Sequence, residues 1–357
     1  MNESISATSE VEEIMQHLAI SCNIDYTEYM KFPPVFSLTP TIKQLLYDLD
    51  VLKAGYELHP VPAAQAINLR RASLLKSSLF SARIEGNPLE LSDVDHVSQG
   101  STDRHTIEIS NLVSAYEQLP VIMGNDVAID SLKKLHAKVL STLSADAGHL
   151  RQEESAIYNQ AGVAVYLTPA PQNIRTLLDA LCVYVNTTKN ASPIAAAVAH
   201  IWFEKIHPFL DGNGRVGRLL SAYILKKGGY DFSGLVGNEQ YLDEHRDDYY
   251  HFLGRDRQDV TEFVEFYLTA LFSQAKVSLK AANDTGKPDK YAHLLPRRAE
   301  IMRMIEDHKV ISFDFLARRF RAVPTRTLHY DLSQLTKAGL VQKMGSTRGT
   351  VYTVKGE

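Results

Sequence analysis

The sequence predicts a mainly α-helical protein with one small β-hairpin and a separate C-terminal domain. Long stretches repeat apolar residues at the spacing of a helix face, and strand-like runs are sparse. The charge balance also changes along the chain. Residues 290–357 contain 13 Lys and Arg against 6 Asp and Glu, whereas residues 1–289 contain 25 against 36. This asymmetry indicates that the two parts meet different partners.

The composition is that of a soluble globular protein. The 357 residues are 45% apolar and 22% charged, which suffices for two or three domains with full cores. The chain has two cysteines, Cys22 and Cys182, which argues against a disulfide scaffold and fits a reducing compartment. The polar, acidic start lacks the features of a secretory signal, and no apolar run approaches the roughly 18 residues of a membrane span. We therefore expect a cytoplasmic protein with no membrane partner.

Three segments of the main body have the pattern of helices. PAAQAINLRRASLLKSSLFSARIEG, residues 62–86, keeps helical apolar spacing and ends at Gly86, a suitable C-cap. Ser192 and Pro193 are expected as the N-cap and first residue of a helix through AAAVAHIWFEKI. VGRLLSAYILKK is apolar on one face and stops at a Gly-Gly pair. By contrast, GVAVYLTPAP, residues 162–171, is a β-branched run that ends in prolines, which predicts an exposed strand or short hairpin.

The predicted domain order begins with an N-terminal helical region over residues 1–104 and a main domain over 105–280. A linker over 281–290 and a small domain over 291–357 follow. The linker, AANDTGKPDK, is small, polar and helix-breaking, and it follows a long apolar helical segment. A weaker break lies at residues 87–104.

The stretch HPFLDGNGRVGR, residues 207–218, has the composition of a phosphate site. A glycine-rich loop that leads into a helix exposes unpaired backbone N–H groups at the positive end of the helix dipole. Gly212 and Gly214 allow a phosphate to approach the backbone closely. Arg215 and Arg218 are three residues apart on one helix face, which favours a polyphosphate over a single carboxylate.

Two further side chains of this stretch supply chemistry. Asp211 is a hard oxygen ligand of the kind that phosphate-bound Mg²⁺ requires, and His207 is the good base near neutral pH. Each residue type alone has an ordinary structural explanation, such as a tight turn or a solvated helix face. Their conjunction instead predicts transfer from a nucleotide polyphosphate to a hydroxyl. The Lys-Ser/Thr ending of a Walker A loop is absent, and Phe209 is expected to anchor the loop in the core.

This stretch resembles the signature of Fic-domain proteins, His-x-Phe-x-Asp/Glu-Gly-Asn-Gly-Arg-x-x-Arg, at every fixed position. The resemblance in motifs and helix order covers about residues 60–270. It implies a Fic-type helical bundle with a small β-hairpin flap. It also implies that residues 105–280 form a catalytic domain that transfers AMP from ATP to a Ser, Thr or Tyr hydroxyl of a protein.

The resemblance assigns a role to each residue of the motif. His207 would deprotonate the target hydroxyl, and Asp211 would hold Mg²⁺ between the α- and β-phosphates. Arg215 would stabilise charge on the departing pyrophosphate, and Arg218 would hold the γ-phosphate. The anion hole would consist of Gly212, Asn213 and Gly214.

Two outlying segments extend the resemblance. GVAVYLTPAP lies where the family has its flap, a hairpin that clamps the backbone of the target by strand addition. DEHRDDYYHFL, residues 243–253, resembles the helix whose aromatic side chains line the adenine pocket, and core packing is the alternative for its tyrosines. The expected flap residues are Val163, Ala164, Val165 and Tyr166, and the expected adenine-binding residues are Tyr249 and Tyr250.

SARIEGN, residues 81–87, resembles the inhibitory motif Ser/Thr-x-x-x-Glu-Gly/Asn of the class with an N-terminal inhibitory helix. Glu85 is predicted at the C-terminal end of a helix, where the dipole disfavours a carboxylate and a partner elsewhere is expected. The resemblance names Arg218 as that partner, so that the pair would occupy the γ-phosphate clamp. An exposed Glu near a C-cap is the alternative, and removal of AMP with the help of the same Glu is left open.

The C-terminal segment, residues 291–357, contains three predicted helices and a hairpin. The helices are RRAEIMRMIEDHK, ISFDFLARRF and PTRTLHYDLSQLTKAGL, and two strands follow around GSTRG. This order resembles a winged-helix domain, in which the third helix is the recognition helix. The basic charge is compatible with DNA phosphates. Such domains also bind proteins or dimerise, so DNA, a protein partner and a homodimer stay open.

Two other functions are alternatives to adenylyl transfer. In the first alternative, the chain is a Fic protein whose site transfers another phosphate-containing group, such as UMP or phosphocholine, or acts as a kinase. In the second, the chain is a winged-helix regulator that uses a Fic domain only to sense a nucleotide, although sensing alone requires no base such as His207. The sequence does not identify the target protein or any modified residue of the chain itself.

Overall fold

The computed structural model of the chain describes residues 33–61, 63–94, 103–158, 161–255, 257–284, 291, 294–320, 323–345 and 350–355. Within these residues the fold is mostly helical with two small antiparallel sheets, as the sequence predicts. The described residues form two compact units, a larger one within Met1–Pro88 and Thr102–Ala281 and a smaller one within Leu89–Ser101 and Ala282–Glu357. Cys22 and residues 285–290 of the predicted linker lie outside the described residues.

The helices predicted over 62–86 and 216–227 are present, and so is the strand predicted within 162–171. The helix before the predicted linker continues to Asp284, so residues 281–284 are helical rather than linker. Among the described residues, no helix combines the length and apolar character that a membrane crossing requires. In chain order the elements are α1 (Pro40–Leu58), α2 (Ala63–Ile84), α3 (Leu91–Val94), α4 (Arg104–Met123), α5 (Ile129–Val139), β1 (Ala156–Tyr158), β2 (Ala164–Leu167), α6 (Ile174–Thr187), α7 (Ser192–Ile206), α8 (Asn213–Lys227), α9 (Glu239–Glu244), α10 (Arg246–Gly254), α11 (Thr261–Asp284), α12 (Pro296–His308), β3 (Val310–Ser312), α13 (Phe313–Arg319), α14 (Thr325–Lys337), β4 (Val341–Met344) and β5 (Val351–Val354).

Helix α7 is the centre of the larger unit. Every residue from Pro193 to Ile206 is buried, so the helix has to be enclosed by other elements, and α6 and α8 pack against it. The helix begins at Ser192 with Ala191 as its N-cap, one residue earlier than predicted. Helix α8 begins at Asn213, so the loop between these two packed helices has both ends fixed.

The smaller unit has its own apolar core and a three-stranded sheet in the order β3–β5–β4. The three predicted helices and both strands of the hairpin are present. Ile311 and Ser312, predicted as the start of the second helix, belong to β3 instead, because Ile311 pairs with Tyr352 in the sheet. The Ser312 hydroxyl then caps α13 by accepting a hydrogen bond from the Phe315 N–H at 3.2 Å. Residues 346–349 of the hairpin lie outside the described residues.

Candidate active site

The loop that joins α7 to α8 has a left-handed residue at each end. His207 ends α7 with φ 49° and ψ 60°, and its N–H donates to the Phe203 carbonyl at 3.0 Å. Gly212 caps α8 with φ 80°. The left-handed conformation costs glycine little, but it costs a residue with a β-carbon about 1 kcal/mol or more. Surrounding contacts therefore have to hold His207 in place.

The side chain of Asn213 closes the loop. Its Nδ2 donates to the Phe209 carbonyl at 2.8 Å, and its Oδ1 accepts from the Phe209 N–H at 2.9 Å. Phe209 is fully buried and stacks on His136 with ring centroids 3.8 Å apart, which confirms the expected anchor. The amide side chain of Asn213 thus fixes the shape of the loop, and only its backbone lies at the helix N-terminus.

His136, on α5, is a positioning residue that the sequence analysis missed. Its Nδ1 accepts from the Gly148 N–H at 2.8 Å, so Nε2 carries the proton and donates to the Asp211 carbonyl at 2.9 Å. Burial lowers the pKa of His136, which favours the neutral ring that these two hydrogen bonds require. The Asp211 carbonyl is thereby fixed at the point where the loop turns into α8.

Arg151 joins this loop to the base of the hairpin. Its guanidinium donates to the carbonyls of His207 at 2.7 Å, Glu153 at 2.7 Å and Pro169 at 2.5 Å, and the side chain is almost fully buried. The Arg151 N–H also donates to the Pro208 carbonyl at 3.0 Å. A buried arginine of this kind is recognised from its distant carbonyl partners, and no local pattern in the sequence distinguishes it.

The imidazole of His207 has the protonation state of a base. Its Nδ1 lies 3.3 Å from the Glu204 carbonyl oxygen, so Nδ1–H donates and Nε2 keeps its lone pair. Burial lowers the pKa of His207 to about 4. The ring is therefore neutral at pH 7 and able to accept a proton.

Arg215 has a carboxylate on either side. Its Nη2 bonds Asp211 Oδ1 at 2.5 Å, and its Nη1 bonds Glu108 Oε1 on α4. The Arg215 side chain is 6% exposed, whereas that of Asp211 is 53% exposed. Asp211 therefore keeps carboxylate surface available to a metal ion. Glu108, which the sequence analysis missed, holds the arginine from the protein side.

Arg218 is buried and paired with Glu85. Its Nη2 donates to Glu85 Oε1 at 2.7 Å and to the Ser81 carbonyl at 2.9 Å, and its Nε donates to Ser81 Oγ at 2.9 Å. Burial alone would lower the pKa of Arg218, but the Glu85 carboxylate raises it above its usual value. The ion pair that the resemblance implied is present, and Ser81, the first residue of the same motif, completes it.

The Glu85 carboxylate lies against the N-terminus of α8. A β-carbon built on Gly214 would fall 2.1 Å from Glu85 Oε1, so the carboxylate fits there only because Gly214 has no side chain. The anion position at the first turn of the helix, next to Arg218, is thus taken by a carboxylate of the protein itself.

The two candidate adenine-binding tyrosines lie in different environments. Tyr249 is 1% exposed, and its hydroxyl lies 2.9 Å from His200 Nε2 in the core. Tyr250 is partly buried, and its hydroxyl donates to the Ile84 carbonyl at 3.3 Å, one residue before Glu85. Tyr249 therefore has the packing of a core residue, and Tyr250 is the tyrosine that borders the Glu85 segment.

The hairpin predicted as a flap is an antiparallel pair of β1 and β2. Val163 and Ala164 are exposed, and Val165 is half-buried. Tyr166 is buried, with the Lys205 ammonium 4.3 Å from its ring centre. The strand thus presents its first residues to solvent and uses Tyr166 as an anchor.

Glu204, one turn before His207, is a buried carboxyl that the sequence analysis did not select. It lies beside Gly217, where a β-carbon would fall 2.5 Å from its Oε1. Burial raises the pKa of Glu204 to about 8, although the Arg218 charge opposes this shift. The group is therefore largely protonated at pH 7, which limits the charge buried around Arg218.

Residues 126–225, which include the loop and most of α8, match the family model described as the Fic/DOC family. Protein adenylyltransferase Fic of Drosophila melanogaster is 28% identical over 234 residues, which are 60% of this chain and 45% of that protein. The protein of the same name from Drosophila willistoni is 28% identical over 258 residues, which are 67% of this chain and 48% of that protein. The chain thus spans less than half the length of these relatives.

Solved structures share the fold. A Fic family protein from Desulfovibrio desulfuricans G20 has a TM-score of 0.65 at 22% identity, over 91% of this chain and 99% of that chain. Residues 134–508 of Fic-1 from C. elegans have a TM-score of 0.56 at 22% identity, over 68% of this chain and 73% of that chain. These likenesses establish the fold of the chain.

The protonation state of His207 is open to direct measurement. We expect its imidazole to titrate near pH 4 in the folded chain, because burial disfavours the charged ring. An NMR pH titration measures this, with the His207 signal assigned by its loss in His207→Ala. Since the folded pKa lies below the unfolded value of about 6.5, this group's contribution to stability is lost as pH falls from about 6.5 toward 4. A midpoint near 6.5 in the folded chain would show that the ring is solvated and contradict the assignment.

Proposed function

We propose that this chain is an autoinhibited protein adenylyltransferase, which transfers AMP from ATP to a Ser, Thr or Tyr hydroxyl of a protein, the chain itself included. The observation that carries the proposal is the anion site at the N-terminus of α8. Two arginines and a neutral histidine surround it, and a carboxylate stands where a phosphate would bind. The name of the Drosophila relatives, protein adenylyltransferase, supports the proposal.

In the proposed reaction the target hydroxyl oxygen attacks the α-phosphorus of ATP, and its proton passes to Nε2 of His207. The bond from the α-phosphorus to the bridging oxygen breaks, and that oxygen leaves with its electron pair as part of pyrophosphate. Arg215 stabilises the charge that develops on the leaving group, and the amides at Gly212 to Gly214 hold phosphate oxygens. Negative charge on these phosphate oxygens increases during the reaction. Groups that stabilise this charge therefore favour the transition state over the ground state.

Asp211 is the proposed ligand for Mg²⁺. In nucleotide sites this ion is held by one or two carboxylates together with phosphate oxygens and water, and the Asp211 side chain is 53% exposed. When bound, the ion would neutralise charge on the phosphates. Within the part of the chain that the structure describes, no group of three or more His, Cys, Asp and Glu side chains is arranged to hold a metal. The phosphates of ATP would therefore complete the site.

Glu85 is the proposed inhibitory residue. Its carboxylate bonds to Arg218 and lies against Gly214, where the proposed role of Arg218 requires the γ-phosphate. A carboxylate and a phosphate compete for the same guanidinium. Productive binding of ATP therefore requires Glu85 to leave Arg218.

The hairpin and α10 supply the remaining proposed contacts. Ala164 at the exposed start of β2, with Val163 immediately before it, would receive an extended segment of the target protein by strand addition, and Tyr166 would be the buried anchor. Tyr250 would contact adenine, and Tyr249 would support it from the core. A cytoplasmic location remains part of the proposal.

Incubation of the chain with ATP labelled in either the α- or the γ-phosphoryl group tests the proposed reaction. Transfer of the α label supports adenylyl transfer. Transfer of the γ label alone would identify a kinase. Transfer of neither label, in the unmodified chain and in Glu85→Gln alike, would indicate another donor, such as one that supplies UMP or phosphocholine, or a nucleotide sensor.

We expect His207→Ala to reduce α-label transfer by about 10²- to 10⁴-fold, because the proposed general base is lost. ATP binding should persist, since the imidazole is not among the proposed phosphate contacts. The measurement is an initial rate together with a titration of ATP binding. His149→Ala, which removes an exposed histidine outside the loop, serves as the control. A His207→Ala chain that labels at the unmodified rate would remove His207 from the mechanism.

We expect Glu85→Gln to raise the initial rate of α-label transfer by about tenfold or more, because Arg218 loses a charged competitor of the γ-phosphate. Glu85→Gly should act in the same direction, and Arg218→Ala should cancel the gain of either variant. Glu117→Gln, which neutralises an exposed carboxylate on α4, is the matched control. Equal rates in the unmodified chain and both Glu85 variants would eliminate self-inhibition by this residue.

We further propose that the smaller unit is a winged-helix domain that contacts DNA. The specific observation is the exposed first half of α14, the proposed recognition helix, on which Arg326 and His329 face solvent together with Tyr330. The excess of basic residues over 290–357 supports contact with phosphates.

We expect the full chain to bind duplex DNA and to lose affinity as salt is raised from 50 to 200 mM, roughly in proportion to the phosphates contacted. Fluorescence anisotropy with a labelled duplex measures the affinity. Arg326→Ala should weaken binding, whereas Lys337→Ala, at the far end of the same helix, should have a smaller effect. Binding that is insensitive to both salt and Arg326→Ala would count against DNA contact by α14.

A further inference from the structure

The segment that carries Glu85 has a second attachment to the phosphate-binding helix. Glu108, on α4, uses one carboxylate oxygen for Arg215, and its other oxygen accepts from Asn87 Nδ2 at 2.8 Å. Asn87 lies two residues after Glu85. The inhibitory segment, residues 81–87, is therefore connected to Arg218 through Glu85 and to Arg215 through Asn87 and Glu108.

Asn87 fixes the end of the inhibitory segment from two sides. Its Nδ2 also donates to the His105 carbonyl at 3.1 Å, at the start of α4. Its backbone N–H donates to the Ala82 carbonyl at 3.1 Å, which closes the turn at the end of α2. The residue is buried, so water competes little for these hydrogen bonds. The backbone that carries Glu85 is thus anchored two residues later, at Asn87, and this anchor holds Glu85 over Gly214.

An amide suits this position because it is neutral and can donate. Glu108 carries a negative charge that is already engaged with Arg215, and a side-chain amide adds a charge-assisted hydrogen bond to the same carboxylate. A carboxylate in place of Asn87 would face Glu108 with like charge and no proton to donate. The pairing therefore depends on the identity of residue 87 as well as on its size.

We propose that Asn87 and Glu108 form a second anchor of the inhibitory segment, and that Glu108 is a positioning residue which links this anchor to Arg215. The proposal rests on the proposed function, in which phosphates of ATP engage both arginines. A phosphate group that draws Arg215 toward itself weakens the ion pair between Arg215 and Glu108. It thereby frees the carboxylate to which Asn87 is hydrogen-bonded. Engagement of Arg215 and release of Glu85 are then coupled, and such coupling acts equally in both directions.

The test is the affinity of the full chain for ATP with Mg²⁺, measured by titration calorimetry. All variants carry His207→Ala so that bound ATP is not consumed. Asn87→Ala should tighten binding by about tenfold, which is about 1.4 kcal/mol at 25 °C. Asn87→Asp, which keeps the shape of the side chain, should tighten it further. Glu85→Gln should also tighten binding, and adding Asn87→Ala to it should produce no further gain.

The control for lost hydrogen bonds is Asn111→Ala, on the same helix as Glu108. Asn111 Nδ2 donates to the carbonyls of Val139 at 3.1 Å and Ser141 at 2.8 Å, away from the inhibitory segment. Its replacement should lower thermal stability as much as Asn87→Ala does and leave ATP affinity unchanged. This comparison separates an anchor from a merely structural asparagine.

Three results would overturn the second anchor. Tighter ATP binding in Glu85→Gln with no change in Asn87→Ala and Asn87→Asp would overturn it and leave the proposed function intact. Equal gains from Asn87→Ala with and without Glu85→Gln would show that residue 87 acts independently of Glu85. Unchanged binding in both Glu85→Gln and the Asn87 variants would overturn the inhibitory role of Glu85 and the anchor together.

Discussion

A guanidinium that is removed from water needs an anion beside it, and Arg218 imposes this requirement on the whole site. Its side chain is 2% exposed, and removing the partner of a buried charge typically costs about 3–5 kcal/mol. Ser81 satisfies donors of the guanidinium but supplies no charge. Glu85 therefore stabilises the chain when no phosphate is bound, and the proposed inhibited state is also the one that electrostatics favours. Any ligand that displaces Glu85 has to replace its charge at the same place.

The loop next to this pair is held by contacts from several elements. Asn213 fixes Phe209 from within the loop, His136 holds the Asp211 carbonyl from α5, and Arg151 holds the His207 carbonyl from the base of the hairpin. Together these contacts offset the cost of the left-handed conformation of His207. A base whose position is set before substrate arrives needs no reorganisation during proton transfer. The same contacts tie the hairpin that would receive the target to the residue that would deprotonate it.

The sequence was sufficient for the features that depend on neighbouring residues. The phosphate-binding loop, the long helices and the hairpin each come from a continuous stretch whose spacing or glycine content is distinctive. Glu108, His136 and Arg151 could not be found in this way. Each acts through a carbonyl or charged group that is distant in the sequence, and their residue types are common on helices and loops. Their roles become visible only when the fold brings these partners together.

Local patterns were also ambiguous where packing decides between two uses of the same residue type. Tyr249 and Tyr250 are adjacent, yet one hydroxyl meets His200 in the core and the other meets the end of α2. Ile311 and Ser312 suit either a helix start or a strand, and pairing with β5 makes them part of β3. In both cases a contact from a distant part of the chain outweighs the intrinsic preference of the residues.

The ion pairs of Arg215 and Arg218, at the first turn of α8, affect which nucleotides the proposed site would bind. Arg215 meets two carboxylates, from Asp211 and Glu108, and Arg218 meets one, from Glu85. On the proposed assignment, a nucleotide whose phosphates reach only Arg215 can loosen the Glu108 anchor, but it brings no charge that replaces Glu85 at Arg218. A triphosphate also reaches Arg218 and replaces the carboxylate there with a more strongly charged group. On this assignment, displacement of Glu85 requires the last phosphate, and the proposed site would select nucleotides by the length of their phosphate chain, even where the base and sugar are the same.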